Sequence, residues 1–268
     1  MRERRSTEGF RFSKLWLVLA IGITAGIVLI VVIGLRRLNE GSRIKRAENE
    51  IRALVAAINS YESHYGAPPV SDLAKKSVTT LCPDLTFGTV NQAPGGLDPF
   101  LTDKQGVFLL AIANKGNHGY QNSNAEVIGI LLDLIKFGNG NPTANVNHTR
   151  NAEHIVFLEA KQVNDRVSPG IGSDGVYRDP WGNPYIITLD LNGDGRCRDA
   201  LYRIQIVSSP KGVGTGLHKL RNYHDPTGFT SDFEAAAPIM VWSFGPDGKA
   251  DQNPADRSPN RDNILSWE

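Results

Sequence analysis

The chain predicts an α+β fold, in which a long N-terminal helix, transmembrane in its first half and amphipathic in its second, packs on an antiparallel β-sheet, with a mixed helix and loop region inserted between them. Three observations predict it. Leu15 to Leu35 is an apolar stretch of twenty-one residues without a charge. An apolar stripe at helical spacing carries on from it to Tyr65, and β-branched and aromatic runs separated by turn residues follow Tyr177. The corresponding segments are 1–14 (basic leader), 15–35 (membrane helix), 36–66 (amphipathic helix), 67–176 (inserted region) and 177–268 (sheet with an acidic C-terminal loop).

At about 1.5 Å rise per residue the apolar stretch reaches about 30 Å, the thickness of a bilayer's hydrocarbon core. A cleaved secretory signal has a shorter apolar region, of about 7–15 residues, and ends in small residues, whereas this stretch ends at Leu35-Arg36-Arg37. It therefore reads as a retained single-pass anchor. Lysines and arginines flank it on both sides, so charge alone barely orients it. The head is expected outside, because a large domain translocates largely regardless of its charge.

Ile44, Ala47, Ile51, Leu54, Ile58, Tyr61 and Tyr65 recur at spacings of three and four, the stripe of an amphipathic helix that buries one face. Gly66 supplies a C-terminal stop and Pro68-Pro69 forbids continuation. Packing against the chain's own head is the expected use of the stripe, since it is too short for a sustained coiled coil.

The 67–176 region opens with residues rich in Gly, Pro, Asn and Asp, interrupted by one apolar run, Val107–Ala113. A core helix is expected between Asn124 as N-cap and Gly138 as stop, with Glu126 in its first turn. Ala152 to Val163 reads as a short helix or strand, and Val167–Gly175 as a connector. The predicted strands are Tyr185–Leu189, Ala200–Val207 and Pro238–Phe244. The first two are expected to form a hairpin across the turn Asn192–Gly195.

Composition narrows the function. Residues 1–65 hold 11 Lys/Arg and 6 Asp/Glu, leaving 18 and 22 for the rest, so the stalk carries +5 and the head −4. A basic root suits anionic lipid, while an acidic head argues against nucleic acid and for cations. Cys82 and Cys197 are the only cysteines, so no disulfide lattice holds the head, and whether these two pair is open. No HExxH, Gly-x-Ser-x-Gly or Walker-type motif is present, and no enzymatic activity is expected.

Asp179-Pro180-Trp181-Gly182-Asn183-Pro184-Tyr185 before a strand, then Ser243-Phe244-Gly245-Pro246-Asp247-Gly248 and Asp262-Asn263-Ile264-Leu265-Ser266-Trp267, carry a resemblance. They look like the C-terminal head of the major pseudopilins of type II secretion systems and related type IV pilin-like proteins. The resemblance covers residues 9–69 in architecture and 179–268 in motif. It implies a structural subunit of a secretion or pilus-type apparatus, rooted in the bacterial inner membrane with a periplasmic head. Its implied partners are membrane lipid, other pilin-like subunits and proteins of the apparatus. It also implies prepilin cleavage between Gly9 and Phe10 and methylation of the new amine. The sequence departs from the family at Arg11 and Lys14, where a small polar residue and a glutamate are usual.

The same resemblance implies Ca²⁺ held between Asp247 and Asp262, with backbone carbonyls near Ser243 as further ligands. Independently of it, Asp190, Asn192, Asp194 and Gly195 reproduce the first half of an EF-hand loop, but its twelfth position is Leu201. A tight turn requires the same residues without any ion, so both readings stand. The alternative to a filament subunit is a non-polymerising, membrane-anchored, calcium-stabilised extracytoplasmic binding domain.

Overall fold

The computed structural model of the protein describes residues 14–80, 82–89, 122–209 and 211–268, with side chains from Gly22 onward. The processing position Gly9-Phe10 and the apolar run Val107–Ala113 lie outside the described residues. The chain divides at Ser42 and Arg43 into an N-terminal unit and a larger C-terminal head.

Helix α1 runs without interruption over Lys14–Tyr65. Every residue from Gly22 to Asn39 is exposed, including Ile27, Val28, Leu29 and Ile30. An apolar surface of this kind is unfavourable in water and satisfied in lipid. Among the described residues α1 is the one helix long and apolar enough to cross a membrane. From Ala47 the burial pattern changes to a stripe: Ala47, Ile51, Leu54, Ile58 and Tyr61 are buried, as the spacing predicts. The helix ends where expected. Gly66 takes φ +67°, a left-handed conformation that glycine adopts without a Cβ clash, and its N–H returns to the Glu62 carbonyl at 2.8 Å.

Short helix α2 (Asp72–Ser77) is capped by the Ser71 hydroxyl, which accepts the Ala74 N–H at 3.1 Å. Then come strand β1 (Asp84–Phe87), the fully buried helix α3 (Ala125–Leu131) and a 3₁₀ turn at Val146–His148. A small ladder pairs β2 (Gly170–Ile171) with β3 (Tyr177–Arg178). The remaining elements are β4 (Ile186–Asp190), α4 (Gln205–Ser208), β5 (Arg221–Asn222), β6 (Phe233–Glu234), β7 (Ile239–Ser243) and β8 (Ile264–Leu265).

The main sheet has the order β1-β4-β7-β8 and is antiparallel throughout. Its register sorts side chains cleanly between two cores. Leu85, Phe87, Ile187, Leu189, Ile239 and Val241 join Ile51, Leu54, Ile58 and Tyr61 of α1 and the apolar residues of α3 in one cluster. Ile186, Met240 and Trp242, on the opposite face, join Leu201, Tyr202, Val207, Leu220 and Phe233 in the second. A strand buried on both faces must be apolar on both, which explains the near-continuous apolar runs of β4 and β7.

Five expectations are corrected in detail. The run Ala200–Val207 is a turn followed by α4, and no hairpin joins it to β4, whose neighbours are β1 and β7. Asp199 is the physical reason: its Oδ1 accepts the N–H groups of Leu201 (2.9 Å) and Tyr202 (3.0 Å), and its carbonyl accepts that of Arg203 (2.9 Å). These local bonds turn the chain before β-propensity can extend it. The 67–176 region, expected as an insertion, contributes edge strand β1 and core helix α3 to the head. Helix α3 is also shorter than expected, because the chain reaches a left-handed residue at Asp133, φ +55°. Asn124 does not cap α3 with its side chain; it bridges Tyr177 and Tyr185, donating to both carbonyls at 2.8 Å and accepting the Tyr177 N–H at 2.9 Å. The 152–163 segment is neither helix nor strand, making only a single bridge from Gln162 to Ile171.

Candidate functional site

The sequence motifs that carried the resemblance meet in space, joined through the end of β7. Asp179, fully buried, accepts the backbone N–H groups of Trp181 and Asn183 with Oδ1, both at 2.9 Å, shaping the Asp-Pro-Trp-Gly-Asn-Pro turn. Its Oδ2 accepts the Ser243 hydroxyl at 2.6 Å. Burial pushes the Asp179 carboxyl up to about 6, against the pull of these hydrogen bonds. The Ser243 hydroxyl oxygen in turn accepts the Gly245 N–H at 3.0 Å, so the side chain of this predicted ligand is engaged within the protein.

Beyond Gly245 the acidic loop returns on itself. Gly245 takes φ +67°, and a Cβ there would stand 2.0 Å from the Asp262 carbonyl oxygen, an approach only glycine permits. The structure thus brings the two predicted calcium ligands together: the Asp247 N–H donates to Asp262 Oδ2 at 3.1 Å. Burial first, and then the neighbouring Asp262 charge, raise the Asp247 carboxyl above the ordinary aspartate range. Carboxylate oxygens are the hard donors that Ca²⁺ takes, and both predicted acids belong to this one turn, with Ser243 at its start. The rest of the loop is held by Asn260, whose side chain accepts the Asp251 N–H (3.0 Å) and donates to the Asp251 (2.9 Å) and Asn253 (2.6 Å) carbonyls.

The loop after β4 is arranged differently. Asp190 receives the N–H groups of Gly193 and Gly195 at 2.7 Å, one on each carboxylate oxygen, and Asn192 Oδ1 receives that of Asp194 at 3.2 Å. Asp194 is ion-paired with Arg196 at 2.7 Å. In the structure these three predicted ligands serve a tight turn, and the Arg196 guanidinium engages the Asp194 carboxylate. Negative charge nonetheless gathers beside it. Glu62 of α1 is raised to about 7, by burial and then by Asp190, and Asp84 of β1 to about 7, by burial with Asp190 and Asp194 adding to it.

No protein-family model, curated protein or solved structure matches the chain. The long apolar N-terminal helix with an antiparallel sheet fits the pilin-like α+β layout.

The amphipathic half of α1 is tied to the rest of the head by polar as well as apolar contacts. Glu50 accepts the Tyr185 hydroxyl at 2.7 Å and pairs with Arg46 at 2.8 Å, while the Tyr61 hydroxyl donates to the Arg150 carbonyl. Cys82 and Cys197 are both buried and no disulfide joins them. Burial pushes the Cys197 thiol well up, which makes it unreactive. Sequence reasoning passed over one constellation, Asp133 with His148 and His154. Its spacings of fifteen and six residues match no metal motif, because turns rather than one helix or strand bring the three together.

Proposed function

We propose that the protein is a pseudopilin-like structural subunit of a type II secretion or type IV pilus-type apparatus, without catalytic activity. The observation that carries this reading is the single helix Lys14–Tyr65, apolar and exposed over its first part and amphipathic and buried on an antiparallel sheet over its last. In this reading the first part stores the subunit in the bacterial inner membrane and later packs against the same helix of neighbouring copies. The head is periplasmic, the Gly9-Phe10 bond is the processing site, and Ca²⁺ bound by Asp247 and Asp262 orders the C-terminal loop.

Cysteine crosslinking within 22–39, in native membranes, tests the assembly. Crosslinks between copies at positions one helical face apart support it, and their absence together with an intact Met1 by mass spectrometry overturns it. That second outcome supports the reading favoured by Lys14, a membrane-anchored head that does not polymerise, because a lysine cannot neutralise a neighbouring subunit's amino terminus. Calcium is tested on the detergent-solubilised full chain. Its melting temperature is expected to rise with Ca²⁺ and fall with chelator in the wild type but not in D247N/D262N, and an unchanged wild-type value removes the ion.

A further inference from the structure

Asp133, His148 and His154 are drawn together by turns. Asp133 lies just beyond α3, and His148 closes the 3₁₀ turn Val146–His148. The chain then folds back, the Asn151 N–H donating to the His148 carbonyl and the His154 N–H to the Asn151 carbonyl, both at 3.1 Å. Asn151 is buried and anchors this loop to its surroundings. It donates to the Ile130 carbonyl of α3 at 3.2 Å and accepts the Tyr65 hydroxyl at the end of α1 at 2.9 Å.

The side chains converge on the Asp133 carboxylate, which is only 12 % exposed. Its Oδ1 lies 2.7 Å from His148 Nδ1 and accepts the Asn145 amide at 2.9 Å, and its Oδ2 lies 3.0 Å from His154 Nδ1. The imidazole rings are 3.9 Å apart between centroids, and one ligand atom from each of the three residues falls within 4.8 Å of the others. All three residues hold left-handed backbones, with φ of +55°, +56° and +58°, among just six non-glycine residues of that kind in the described part of the chain. L-residues adopt this conformation at an energetic disadvantage, and it persists where surrounding structure dictates side-chain placement.

We propose that Asp133, His148 and His154 form a binding site for a divalent transition-metal ion of the Zn²⁺ class. Two imidazole nitrogens and one carboxylate are the donors such ions select, whereas Ca²⁺ and Mg²⁺ take oxygen sets. The metal takes the Nδ1 lone pair of each neutral imidazole, with the ring proton on Nε2, and replaces the two hydrogen bonds now made to Asp133. Asn145 keeps its bond to the carboxylate and orients it from the second sphere. His148 and His154 are 30 % and 58 % exposed, which provides an entry path and leaves the remaining coordination positions to water. Bound metal would staple the end of α3 to the loop that contacts the end of α1.

The test uses the tag-free full chain in detergent, stripped by chelator and dialysed against Zn²⁺ or Co²⁺. One equivalent of metal per chain is expected, with a Co²⁺ absorption spectrum of nitrogen and oxygen coordination. H148N and H154N are suitable variants because asparagine tolerates the left-handed backbone. Second-sphere changes alone weaken metal sites about 10–100-fold, so each variant is expected to lose at least about 100-fold in affinity. H64Q and D247N/D262N are expected to bind as the wild type does. Absence of stoichiometric binding by the wild type overturns the proposal, as does wild-type affinity in an H148N/H154N variant whose circular dichroism is native.

Discussion

Asp84 stands directly opposite Asp190 in the β1–β4 pair, two carboxylates in register across an antiparallel ladder. Like charges placed this way destabilise a sheet. Asp84 is 4 % exposed and its carboxylate accepts the Arg198 N–H at 2.7 Å, yet burial, with Asp190 and Asp194 behind it, lifts its carboxyl to about 7.

The pH dependence follows from the sign of that shift. With the folded value raised above the unfolded one of about 3.9, the folded state binds the extra proton, so this group's contribution is full below pH ~4 and lost as pH rises through ~7. Asp84→Asn keeps an acceptor for Arg198 and removes the titration. Its stability relative to wild type, from urea unfolding of the detergent-solubilised chain, is expected to improve between pH 4 and 8 by the order of a few kcal/mol. A difference that stays constant across that window would show that Asp84 is not the titrating group.

Asp199 is the polar hub of the sheet's second face. It is fully buried, and its Oδ2 accepts the Thr188 hydroxyl at 2.7 Å and the Trp242 indole N–H at 3.1 Å, while its Oδ1 holds the turn that replaces the expected strand. Asp199→Ala strands four buried donors and should destabilise the head by about 3 kcal/mol or more. Thr188→Val alone should do less, and the double variant should fall short of the sum, since the two share one bond. Additive effects in denaturant unfolding would argue against a coupled network.

Gly245 sets the approach of the Gly-Pro-Asp-Gly turn to Asp262. Gly245→Ala combines a left-handed backbone with a Cβ 2.0 Å from the Asp262 carbonyl oxygen, so it should destabilise the loop by more than about 1 kcal/mol. Under the calcium reading it should also weaken the Ca²⁺-dependent rise in melting temperature more than Gly193→Ala, whose position faces open space although its φ is also positive. An equal response in the two variants would separate the turn from the ion.

Much of the architecture was legible in the residues because its causes are local. The length of the apolar stretch, the three-and-four spacing through Ala47, Ile51, Leu54 and Ile58, and the Gly66 stop each act within a few turns of one helix. The cores of strands β4 and β7 were legible for the same reason, since Ile186–Leu189 and Ile239–Trp242 are almost wholly apolar, with Thr188 the one polar side chain. Asp247 and Asp262 were legible as a pair only through the resemblance, and the fold brings them together.

What the residues could not specify depends on contacts between segments distant in sequence. The short run Asp84–Phe87 gives little sign of being a sheet edge until it pairs with β4, and Ala200–Val207 has strand composition but is turned by a single buried carboxylate. Asp133, His148 and His154 become neighbours only because three left-handed residues and the anchor at Asn151 fold separate turns onto one point. Periodicity determined the helix and the strand interiors. Tertiary packing decided which strands pair, which acids face each other and which histidines meet, because those outcomes depend on desolvation and on backbone bonds that no local pattern encodes.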